Sequence, residues 1–401
     1  MEKKHILVVC QYFYPESFRI NEMCREWVAR GYQVTVLTGI PNYPQGKFYK
    51  GYNWFKKRRE QWEGIDIRRI PLIARGKSPI GMILNYLSFM ISGWFWKWFT
   101  GVKPDYVFTF QLSPVMMALP GVWIAKRRKV PHYLYVQDLW PDNFEAVTGI
   151  HSGVILRRLR KMVDKIYRRS DKIFATSPSF VEMIRERLCE NQDKVMYLPQ
   201  YAEDHYVPCE REAPDDVPSD DRFKIVFTGN VGFAQGLDVL PETAALLQDR
   251  GIDDVCFVIV GEGRGLEAFR AQVKERDVES AFVFTGRRPS EEVPRYLAAC
   301  DMAFVSFKND PVLVSTIPAK LQSYMACAMP ILAAAGGETE RVVNEAACGV
   351  CCAVGDAKAL CEAIVSAKAT DLSPYAQASL AYSKAHFNKD TIMDQLDPFF
   401  T

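Results

Sequence analysis

The stretch FKIVFTGNVGFAQGLDVLPETAALLQDRG, residues 223–251, decides the fold, because its pattern is that of a strand, a glycine-rich turn and a helix. The first six residues are mostly apolar, and Gly229, Gly232 and Gly236 follow them before the helix. Glycines at such a junction let backbone amides approach a phosphate, with the helix N-terminus behind them. A tight turn without a ligand explains the same spacing, since the pattern is neither the usual GxGxxG nor a P-loop.

The strand–helix alternation continues on both sides of this stretch. VCFVIV, FVFTG and MAFVSF are further strands of the second half, and HILVVCQYF, QVTVLTG, DYVFTF, HYLYVQD and KIFATS are strands of the first half. Apolar strands separated by helices predict parallel sheets that are covered on both faces. The length of 401 residues fits two such domains of about 200 residues each. The sequence therefore predicts an α/β protein with two doubly wound domains.

The composition supports the division into two domains and suggests where their boundaries lie. We expect a first domain over residues 1–202, an acidic linker over 203–221, a second domain over 222–375, and C-terminal helices over 376–401 that pack back on the first domain. Residues 1–200 contain 32 Lys and Arg against 17 Asp and Glu, whereas the remainder contains 18 against 31. Opposite charges on the two halves indicate different partners.

The cysteine pattern and the N-terminus indicate the cell interior. Eleven cysteines are scattered, several of them within apolar runs, which is typical of reduced and buried thiols rather than of a disulfide framework. The first apolar run is short and lacks a small-residue cleavage site, so it predicts a strand and not a signal peptide. CGVC (348–351) has the spacing of a zinc or redox pair, but no second pair lies near it, and buried thiols are favoured.

Four successive strand ends of the second domain carry residues suited to a phosphate. Besides the first glycine turn, VIVGEG ends in Gly261, Glu262 and Gly263, FTGRRP contains Arg287, and a fourth end leads to Lys320. In STIPAKLQSYMACAMPILAAAGG (315–337), Lys320 is the one cation among small, polar and apolar residues. Because the carboxyl ends of parallel strands form the ligand site of this fold class, we expect Lys320 and Arg287 to contact a diphosphate. The alternative for each cation alone is a solvated surface side chain.

In these motifs the sequence resembles the retaining GT-B glycosyltransferases of family 4. TIPAKLQSYMACAMPILAA, FTGNVGFAQGLDVL, VGEG, FTGRRP and GVCCAVGDAKALCEAI match the donor domain, and PESFRINEM, TGIPNYPQGKFYKGY and QDLWPD match the acceptor domain. The chain is most similar to the branch of L-fucosamine (N-acetyl) transferase-like enzymes of O-antigen and capsule assembly. The resemblance implies two Rossmann-like domains with an inter-domain cleft, a nucleotide-sugar donor, retention, and no metal or other cofactor. The absence of a DxD motif agrees with metal-independent transfer.

The resemblance also implies the donor-binding residues of the second domain. These are Gly229, Asn230, Gly232, Gln235, Gly236, Gly261, Glu262, Gly263, Arg287, Ser315, Thr316, Pro318, Lys320, Leu321 and Ser323. The chain departs from the family at two of them, because Ser315 and Ser323 occupy the places of the glutamates in E-x7-E. Gln235–Gly236 likewise stands where many relatives have Lys-Gly. Lys320 is therefore predicted to be the principal cation for the diphosphate.

Four residues of the first domain are candidates for contact with the acceptor. Asp138 follows the strand HYLYVQD and is predicted to order the acceptor or to act as a base, unless it only caps a helix beginning at LWPDNF. Glu16 and Arg19, in the loop after the first strand, either contact the acceptor or form a pair at a helix start. Asn42 belongs to the matched acceptor motif. Asp138, Lys320 and Arg287 are the predicted catalytic residues.

Residues 81–105, GMILNYLSFMISGWFWKWFTGVKPD, form the most apolar part of the chain. They are either an amphipathic core helix or a helix in a membrane interface, where tryptophan is favoured. The basic clusters KKRR (56–59), KRRK (126–129) and RRLRK (157–161) support an anionic membrane surface. The same charge would suit a nucleic acid, but the sequence contains no recognisable nucleic-acid-binding motif. We therefore expect no nucleic acid to bind.

Taken together, these features predict a peripheral glycosyltransferase on the cytoplasmic face of the cell membrane. It would move a sugar from a nucleotide-diphosphate donor, with UDP as the default, to a polyprenyl-diphosphate-linked saccharide. Two alternatives are a nucleotide-sugar 2-epimerase of the same architecture and a non-catalytic protein that binds anionic lipids. The epimerase would need paired carboxylates for proton transfer, and the lipid-binding protein would leave the strand-end residues unexplained.

Overall fold

A computed structural model describes residues 3–76, 78–141 and 153–401. The chain divides into two compact units, Met1–Leu198 with Met393–Thr401, and Pro199–Ile392. Each unit contains one predominantly parallel sheet with helices in the connections between its strands. The prediction of two doubly wound α/β domains is confirmed.

The sheet of the first unit has eight strands in the order β3-β4-β2-β1-β5-β6-β7-β8. All neighbouring strands are parallel except β3, which pairs antiparallel with β4 at the edge. The strands are β1 (His5–Val9), β2 (Gln33–Thr38), β3 (Arg59–Trp62), β4 (Ile65–Arg69), β5 (Tyr106–Gln111), β6 (His132–Val136), β7 (Lys172–Ala175) and β8 (Val195–Tyr197). The helices are α1 (Arg19–Ala29), α2 (Pro79–Phe99), α3 (Leu119–Arg128), α4 (Gly153–Arg169) and α5 (Pro178–Leu188).

The sheet of the second unit has six parallel strands in the order β11-β10-β9-β12-β13-β14. The strands are β9 (Phe223–Thr228), β10 (Val255–Val260), β11 (Phe282–Gly286), β12 (Met302–Ser306), β13 (Ile331–Ala334) and β14 (Gly349–Cys352). The helices are α6 (Val239–Asp249), α7 (Leu266–Glu275), α8 (Val293–Ala298), α9 (Pro311–Val314), α10 (Ala319–Ala326), α11 (Glu338–Ala346), α12 (Ala357–Lys368), α13 (Ser373–His386) and α14 (Lys389–Asp394), of which α14 crosses into the first unit.

Alternating side chains of β9 explain why the second sheet needs helices on both faces. Ile225 and Phe227 belong to one buried hydrophobic cluster, whereas Val226 belongs to another. Successive side chains of a strand point to opposite faces, so both faces of this strand are apolar. The continuous apolar run in the sequence therefore becomes a strand covered on both faces.

The structure places the domain limits differently from the sequence prediction. The first unit ends at Leu198, and residues 203–221, the predicted linker, belong to the second unit. Val217 in this segment is buried, and Asp216 accepts hydrogen bonds from Arg288 at 2.5 Å and from the Tyr296 hydroxyl at 2.9 Å. The acidic segment thus packs on the second unit, because its carboxylate and its apolar side chain both find partners there.

Only the last residues return to the first unit, and not the whole predicted segment 376–401. Helix α13 belongs to the second unit, where the Ser379 hydroxyl donates to the Met329 carbonyl at 2.6 Å. Phe400 packs in the first unit, with its ring 5.5 Å from that of Trp27 and 5.4 Å from that of Tyr106. Aromatic burial therefore anchors residues 393–401, whereas the helix before them packs elsewhere.

Helix α2 is attached to the first unit by a buried polar network. Asn85 is fully buried, and its side chain accepts from the Gln11 amide at 2.6 Å and donates to the Ile73 carbonyl at 2.6 Å and to Asn42 at 3.3 Å. Phe89 and Gly93, four and eight residues further along, are also buried. These positions form one helical face, which fixes α2 against α3 and against the loops that carry Gln11, Asn42 and Ile73.

The opposite face of α2 is apolar and exposed. Its exposed large side chains are Ile80, Ile83, Leu84, Ile91, Trp94, Phe95, Trp98 and Phe99. An amphipathic core helix, one of the two predicted alternatives, would expose a polar face instead, and contact with a membrane interface, the other alternative, stays a prediction. Among residues 3–76, 78–141 and 153–401, no helix combines the length and apolarity that crossing a membrane requires.

Replacing Asn85 by Ala will lower the free energy of unfolding of the first unit by about 2–3 kcal/mol, because the buried polar groups of Gln11 and Ile73 lose their partner. Urea unfolding followed by tryptophan fluorescence measures this unit alone, since all eight tryptophans lie before residue 141. The control is Ile91→Ala on the exposed face of the same helix, with an expected change within about 0.5 kcal/mol. Equal losses in both variants would show that the network does not hold the helix.

Candidate functional site

Lys320 is the central cation of the candidate site in the second unit. It is the second residue of α10, and its ammonium group donates a hydrogen bond to the Gln235 side-chain carbonyl. The ammonium also lies 3.9 Å from the centre of the Phe227 ring, which belongs to β9. The side chain is therefore fixed at the carboxyl end of β9 by a neutral acceptor and an aromatic face.

The charge of Lys320 has no compensating carboxylate in the part of the chain that the structure describes. Burial lowers the pKa of Lys320 to about 7, since desolvation disfavours the charged ammonium. A half-buried cation without an anionic partner gains stabilisation when an anion arrives. The arrangement therefore favours a negatively charged ligand beside the ammonium.

The glycine turn after β9 is held against the end of β12. The Ser306 hydroxyl donates to the backbone carbonyl of Gln235 at 2.5 Å, and the backbone amide of Lys308 donates to the backbone carbonyl of Ala234 at 3.1 Å. Gly236 has a φ of +62°, and a Cβ there would approach the Phe307 backbone to 3.1 Å. Only glycine combines this backbone conformation with such a close approach without strain, so the turn keeps Gln235 beside Lys320.

A second pair of glycines joins the ends of β9 and β10. The Gly229 amide donates to the Val260 carbonyl at 2.9 Å, and a Cβ on Gly261 would overlap the Gly229 carbonyl oxygen. Gly229 itself has a φ of +118° and open space where a side chain would project. The structure thus brings the two predicted glycine motifs into contact, and it leaves the space above Gly229 open.

The other glycine-turn residues take up the remaining positions around these strand ends. Asn230 and Glu262 are exposed, and the Glu262 carbonyl accepts from the Val231 amide at 3.0 Å. Gly263 lies against the Val231 carbonyl, where a Cβ would overlap, and Gly232 lies beside the Asn230 side chain. The two loops after β9 and β10 therefore interlock through their backbones.

The three predicted hydroxyl ligands each donate to a backbone carbonyl four residues earlier. Ser315 donates to Pro311 at 2.8 Å, Thr316 to Val312 at 2.9 Å, and Ser323 to Ala319 at 3.2 Å. Because each hydroxyl has one proton, a ligand at Thr316 or Ser323 would have to donate a hydrogen bond to the hydroxyl oxygen. Contact of Ser315, Thr316 and Ser323 with the donor stays a prediction.

Two further predicted donor-binding residues position α10 from within the core. Leu321 is fully buried in a hydrophobic cluster, and Pro318 is the buried residue that precedes the helix. Neither side chain is exposed to solvent. Their contribution to a ligand site is the placement of Lys320, and direct contact stays a prediction.

Arg287 and Arg288 differ in their surroundings. Arg288 forms the ion pair with Asp216, whereas Arg287 is exposed and makes no ion pair or side-chain hydrogen bond with a described residue. No contact joins Arg287 to Lys320 within the described part of the second unit. The diphosphate contact predicted for Arg287 stays a prediction that requires its flexible side chain to reach the ligand.

Tyr324 is a residue of this site that sequence reasoning missed. Its buried hydroxyl accepts from the Thr228 amide at 2.7 Å, and it lies 3.2 Å from the Thr228 hydroxyl. Burial raises the pKa of Tyr324 to about 12. This bond joins α10 to the end of β9, so it fixes Lys320 relative to the glycine turn.

In the first unit, Asp138 follows β6 and is held by Ser113. One carboxylate oxygen accepts from the Ser113 amide at 2.9 Å and from its hydroxyl at 2.8 Å. Burial raises the pKa of Asp138, although the bonds from Ser113 oppose this effect. The other carboxylate oxygen has no bond to a described residue. The alternative role as a cap for LWPDNF involves residues 142–144, which lie outside the described residues.

Glu16 and Asn42 together shape the loop that follows β2. One Glu16 carboxylate oxygen accepts hydrogen bonds from the backbone amide of Asn42 at 2.7 Å and from the backbone amide of Tyr43 at 2.6 Å. Burial raises the pKa of Glu16 to about 7, against the lowering effect of these bonds. Asn42 is fully buried, and Arg19, the first residue of α1, is also buried. The structure gives Glu16 and Asn42 positioning roles, and direct contact of all three residues with an acceptor stays a prediction.

An aromatic cluster with one arginine lies beside this loop and was also missed. The Tyr12 ring stacks on Phe18 at 5.4 Å and contacts Tyr43 at 5.3 Å between ring centres. The Arg75 guanidinium lies 5.3 Å from the Tyr43 ring, and it has no carboxylate partner in the described part of the chain. Tyr43 is 37% exposed, so an apolar face and a cation are available at the carboxyl edge of the sheet.

The structure tests the metal prediction only within the described residues. Residues 3–76, 78–141 and 153–401 contain no group of three His, Cys, Asp or Glu that could hold a metal ion. Cys348 is buried, Cys351 is half-buried, and both lie at β14, as expected for structural thiols. Metal-independent transfer stays a prediction.

Comparison with known proteins agrees with the fold and with the division of the chain. The family described as "Glycosyl transferases group 1" matches residues 222–369, and the family described as "Glycosyl transferase 4-like domain" matches residues 17–200. The putative colanic acid biosynthesis glycosyl transferase WcaI of Escherichia coli strain K12 is 25% identical over 319 residues, which is 75% of each chain.

Solved structures show the same fold over almost the whole chain. The sucrose-phosphate synthase of Thermosynechococcus elongatus has a TM-score of 0.75 at 15% identity and covers 99% of this chain and 98% of its own. HepE of Anabaena, solved in complex with UDP, has a TM-score of 0.66 at 14% identity and covers 99% of both chains. The two adjacent family matches show that the chain is a glycosyltransferase, and the solved structures show that its fold is GT-B.

Proposed function

We propose that this glycosyltransferase transfers a sugar from a nucleotide-diphosphate sugar to a polyprenyl-diphosphate-linked saccharide, with retention, during the assembly of a surface polysaccharide such as an O-antigen, capsule or exopolysaccharide. The observation that carries the proposal is Lys320, a half-buried ammonium at a strand end without a carboxylate partner among the described residues. A diphosphate is an anion that would complete this site, and the open space above Gly229 is adjacent to the same strand.

The leaving diphosphate explains why Lys320 would act in the chemical step. Negative charge develops on the diphosphate as the bond to the sugar breaks, and a fixed cation stabilises that charge. Gln235, Phe227 and Tyr324 hold the ammonium or its helix in place before the reaction, so little reorganisation is needed. Arg287 would add a second cation from the exposed loop after β11.

The identity of the donor follows from likeness alone. UDP is the proposed nucleotide, in line with the UDP-bound HepE structure and with the resemblance of the sequence motifs. The L-fucosamine (N-acetyl) transferase-like branch suggests an N-acetylated amino sugar or a deoxyhexose. The name of WcaI, a putative colanic acid biosynthesis enzyme, supports a polysaccharide product.

The first unit offers two groups that suit a lipid-linked saccharide. Asp138 has one unbonded carboxylate oxygen within the described part of the chain, and it could accept a hydrogen bond from the acceptor hydroxyl. Arg75, stacked on the partly exposed Tyr43, offers a guanidinium to the acceptor diphosphate and an aromatic face to its sugar. We therefore propose that the acceptor binds between Asp138 and Arg75.

The exposed face of α2 supports association with the cytoplasmic surface of an anionic membrane. Trp94, Phe95 and Trp98 project from this face, and the guanidinium of Arg127 lies 4.0 Å from the Trp98 ring. The ammonium of Lys97 lies 4.9 Å from the Trp94 ring. Tryptophan beside basic side chains is favoured where apolar chains meet anionic head groups. Such binding would keep the enzyme beside a polyprenyl-linked substrate.

Replacing Lys320 by Ala will lower kcat/KM for sugar transfer by about 10²–10³-fold, because the leaving diphosphate loses its fixed cation. The assay mixes the protein with UDP-, GDP- and dTDP-sugars and a lipid-linked N-acetylhexosamine diphosphate, and it follows the mass of the product. Lys358→Ala, which removes an exposed lysine of α12, is the matched control and should retain activity. If the wild-type protein transfers sugar and Lys320→Ala does so equally well, Lys320 does not have the proposed role. If the donor is isomerised without transfer, the proposed function is contradicted.

Affinity for a UDP-sugar will fall as the pH rises through about 7, because only the protonated form of Lys320 attracts the diphosphate. Below pH 7 most of the free protein carries the charged lysine, and above pH 7 this fraction falls about tenfold per unit. Calorimetric titration between pH 6 and pH 8.5 should show Kd rising by up to about 30-fold. Lys320→Arg remains charged throughout this range and should remove the dependence. The same pH profile in both proteins would contradict this prediction.

Replacing Phe95 and Phe99 by Ser will weaken binding to vesicles that contain phosphatidylglycerol by about tenfold or more, since both exposed rings lose their contact with the lipid interface. Flotation at low salt measures the bound fraction. The control Val207→Ser removes an exposed apolar side chain from the second unit and should leave flotation unchanged. Equal flotation of all three proteins would show that the exposed face of α2 is not the membrane contact.

A further inference from the structure

A cavity of about 810 Å³ lies in the first unit, apart from the residues assigned to sugar transfer. Its lining comes from β1, β2, β4, the segment 58–59 and the end of α2 with the residues that follow. Its charged lining residues are Arg58, Arg59, Asp66, Arg68, Arg69 and Lys103. His5 and Gln33 are the first residues of their strands, whereas Asp138 follows the carboxyl end of β6. The cavity therefore includes the starts of parallel strands rather than the ends that carry the transfer site.

Positive charge dominates this cavity. Arg59 lies directly opposite Arg68 in the antiparallel pair of β3 and β4, a placement that is unfavourable for like charges. Asp66 forms an ion pair with Arg68 at 2.6 Å and neutralises one of the two. Arg59 and Lys103 are exposed, and neither makes an ion pair or a side-chain hydrogen bond with a described residue. Two cations thus lack a compensating charge.

The other two arginines of the lining, Arg58 and Arg69, differ in whether a carboxylate compensates their charge. Arg69 is buried and forms an ion pair with Glu60 at 2.7 Å, so its charge is compensated. Arg58 donates to the Arg69 carbonyl at 2.8 Å and to the Trp54 carbonyl at 3.3 Å, which fixes its direction without neutralising it. Arg58 therefore adds a third uncompensated charge to those of Arg59 and Lys103.

The remaining wall of the cavity is aromatic and continues into the exposed face of α2. Trp96 and Phe99 belong to the last turn of the helix, and Phe99 is 84% exposed. Phe99 also belongs to the exposed apolar side chains that run along α2. A ligand in this cavity can therefore place an anionic group among the cations and an apolar group along the helix.

We propose that this cavity binds a phosphate group, and that the phosphate belongs to the head group of an anionic phospholipid. Guanidinium groups match the geometry of phosphate oxygens, and the aromatic wall fits the glycerol and acyl region next to them. Free phosphomonoesters share the phosphate chemistry and are the alternative source. The lipid source rests on the proposed membrane association, whereas the phosphate site itself does not depend on sugar transfer.

The first arm of the test titrates sn-glycerol 1-phosphate at constant ionic strength into the Lys320→Ala protein, so that the donor site does not contribute. Tryptophan fluorescence reports binding in the first unit, because all eight tryptophans lie there and Trp96 lines the cavity. The double variant Arg59→Gln/Lys103→Gln should bind at least about tenfold more weakly. Arg168→Gln/Arg169→Gln removes the same charge from exposed positions at the end of α4 and should bind as the parent does.

The second arm measures flotation of the same proteins with vesicles of phosphatidylcholine containing phosphatidylglycerol. Loss of both glycerol phosphate and vesicle binding in the Arg59/Lys103 variant alone supports the lipid head-group site. Loss of glycerol phosphate binding with unchanged flotation overturns the lipid source and leaves a site for a free phosphomonoester. Equal behaviour of the two double variants in both arms overturns the proposed site. None of these readouts uses sugar transfer, so failure of the proposed function would be seen separately.

Discussion

The candidate donor site depends on the hydrogen bond between the Lys320 ammonium and the Gln235 side chain. A carboxylate in place of this amide would neutralise the lysine, whereas the amide positions it and leaves its charge available. The surrounding features maintain this geometry: Ser306 holds the turn that carries Gln235, and Tyr324 joins α10 to the end of β9. Burial then lowers the pKa of Lys320 to about 7, so that binding of an anion and uptake of a proton are coupled.

The two sides of α2 differ, since one side is buried in the first unit and the other is exposed. Asn85 and its partners bury one side of the helix. This side includes the contact to the Asn42 side chain, and the backbone amide of Asn42 is in turn held by Glu16. The opposite side exposes aromatic and aliphatic residues along the whole helix. One element thus connects the loop beside Arg75 with the surface that is proposed to meet the membrane. The excess of basic residues before residue 200 agrees with this arrangement.

The sequence predicted the features that depend on local pattern. Apolar runs such as residues 223–228 and the glycines that follow them identified the strands and the edge where Lys320 lies. Features that depend on tertiary contact were not predictable. Tyr324 has the appearance of an ordinary core residue until its hydroxyl meets Thr228, and the acidic segment 203–221 has the composition of a linker although Val217 and Asp216 find partners in the second unit. Pairing of Gln235 with Lys320 spans 85 residues, and no local pattern encodes it.

A crystal structure of the protein with bound UDP tests the central claim most directly. The account predicts that the diphosphate lies within about 3 Å of the Lys320 ammonium, beside the glycine turn that follows β9, and that the bond to Gln235 lengthens or is replaced. UDP bound elsewhere in the second unit, with Lys320 still held by Gln235 alone, would contradict the account.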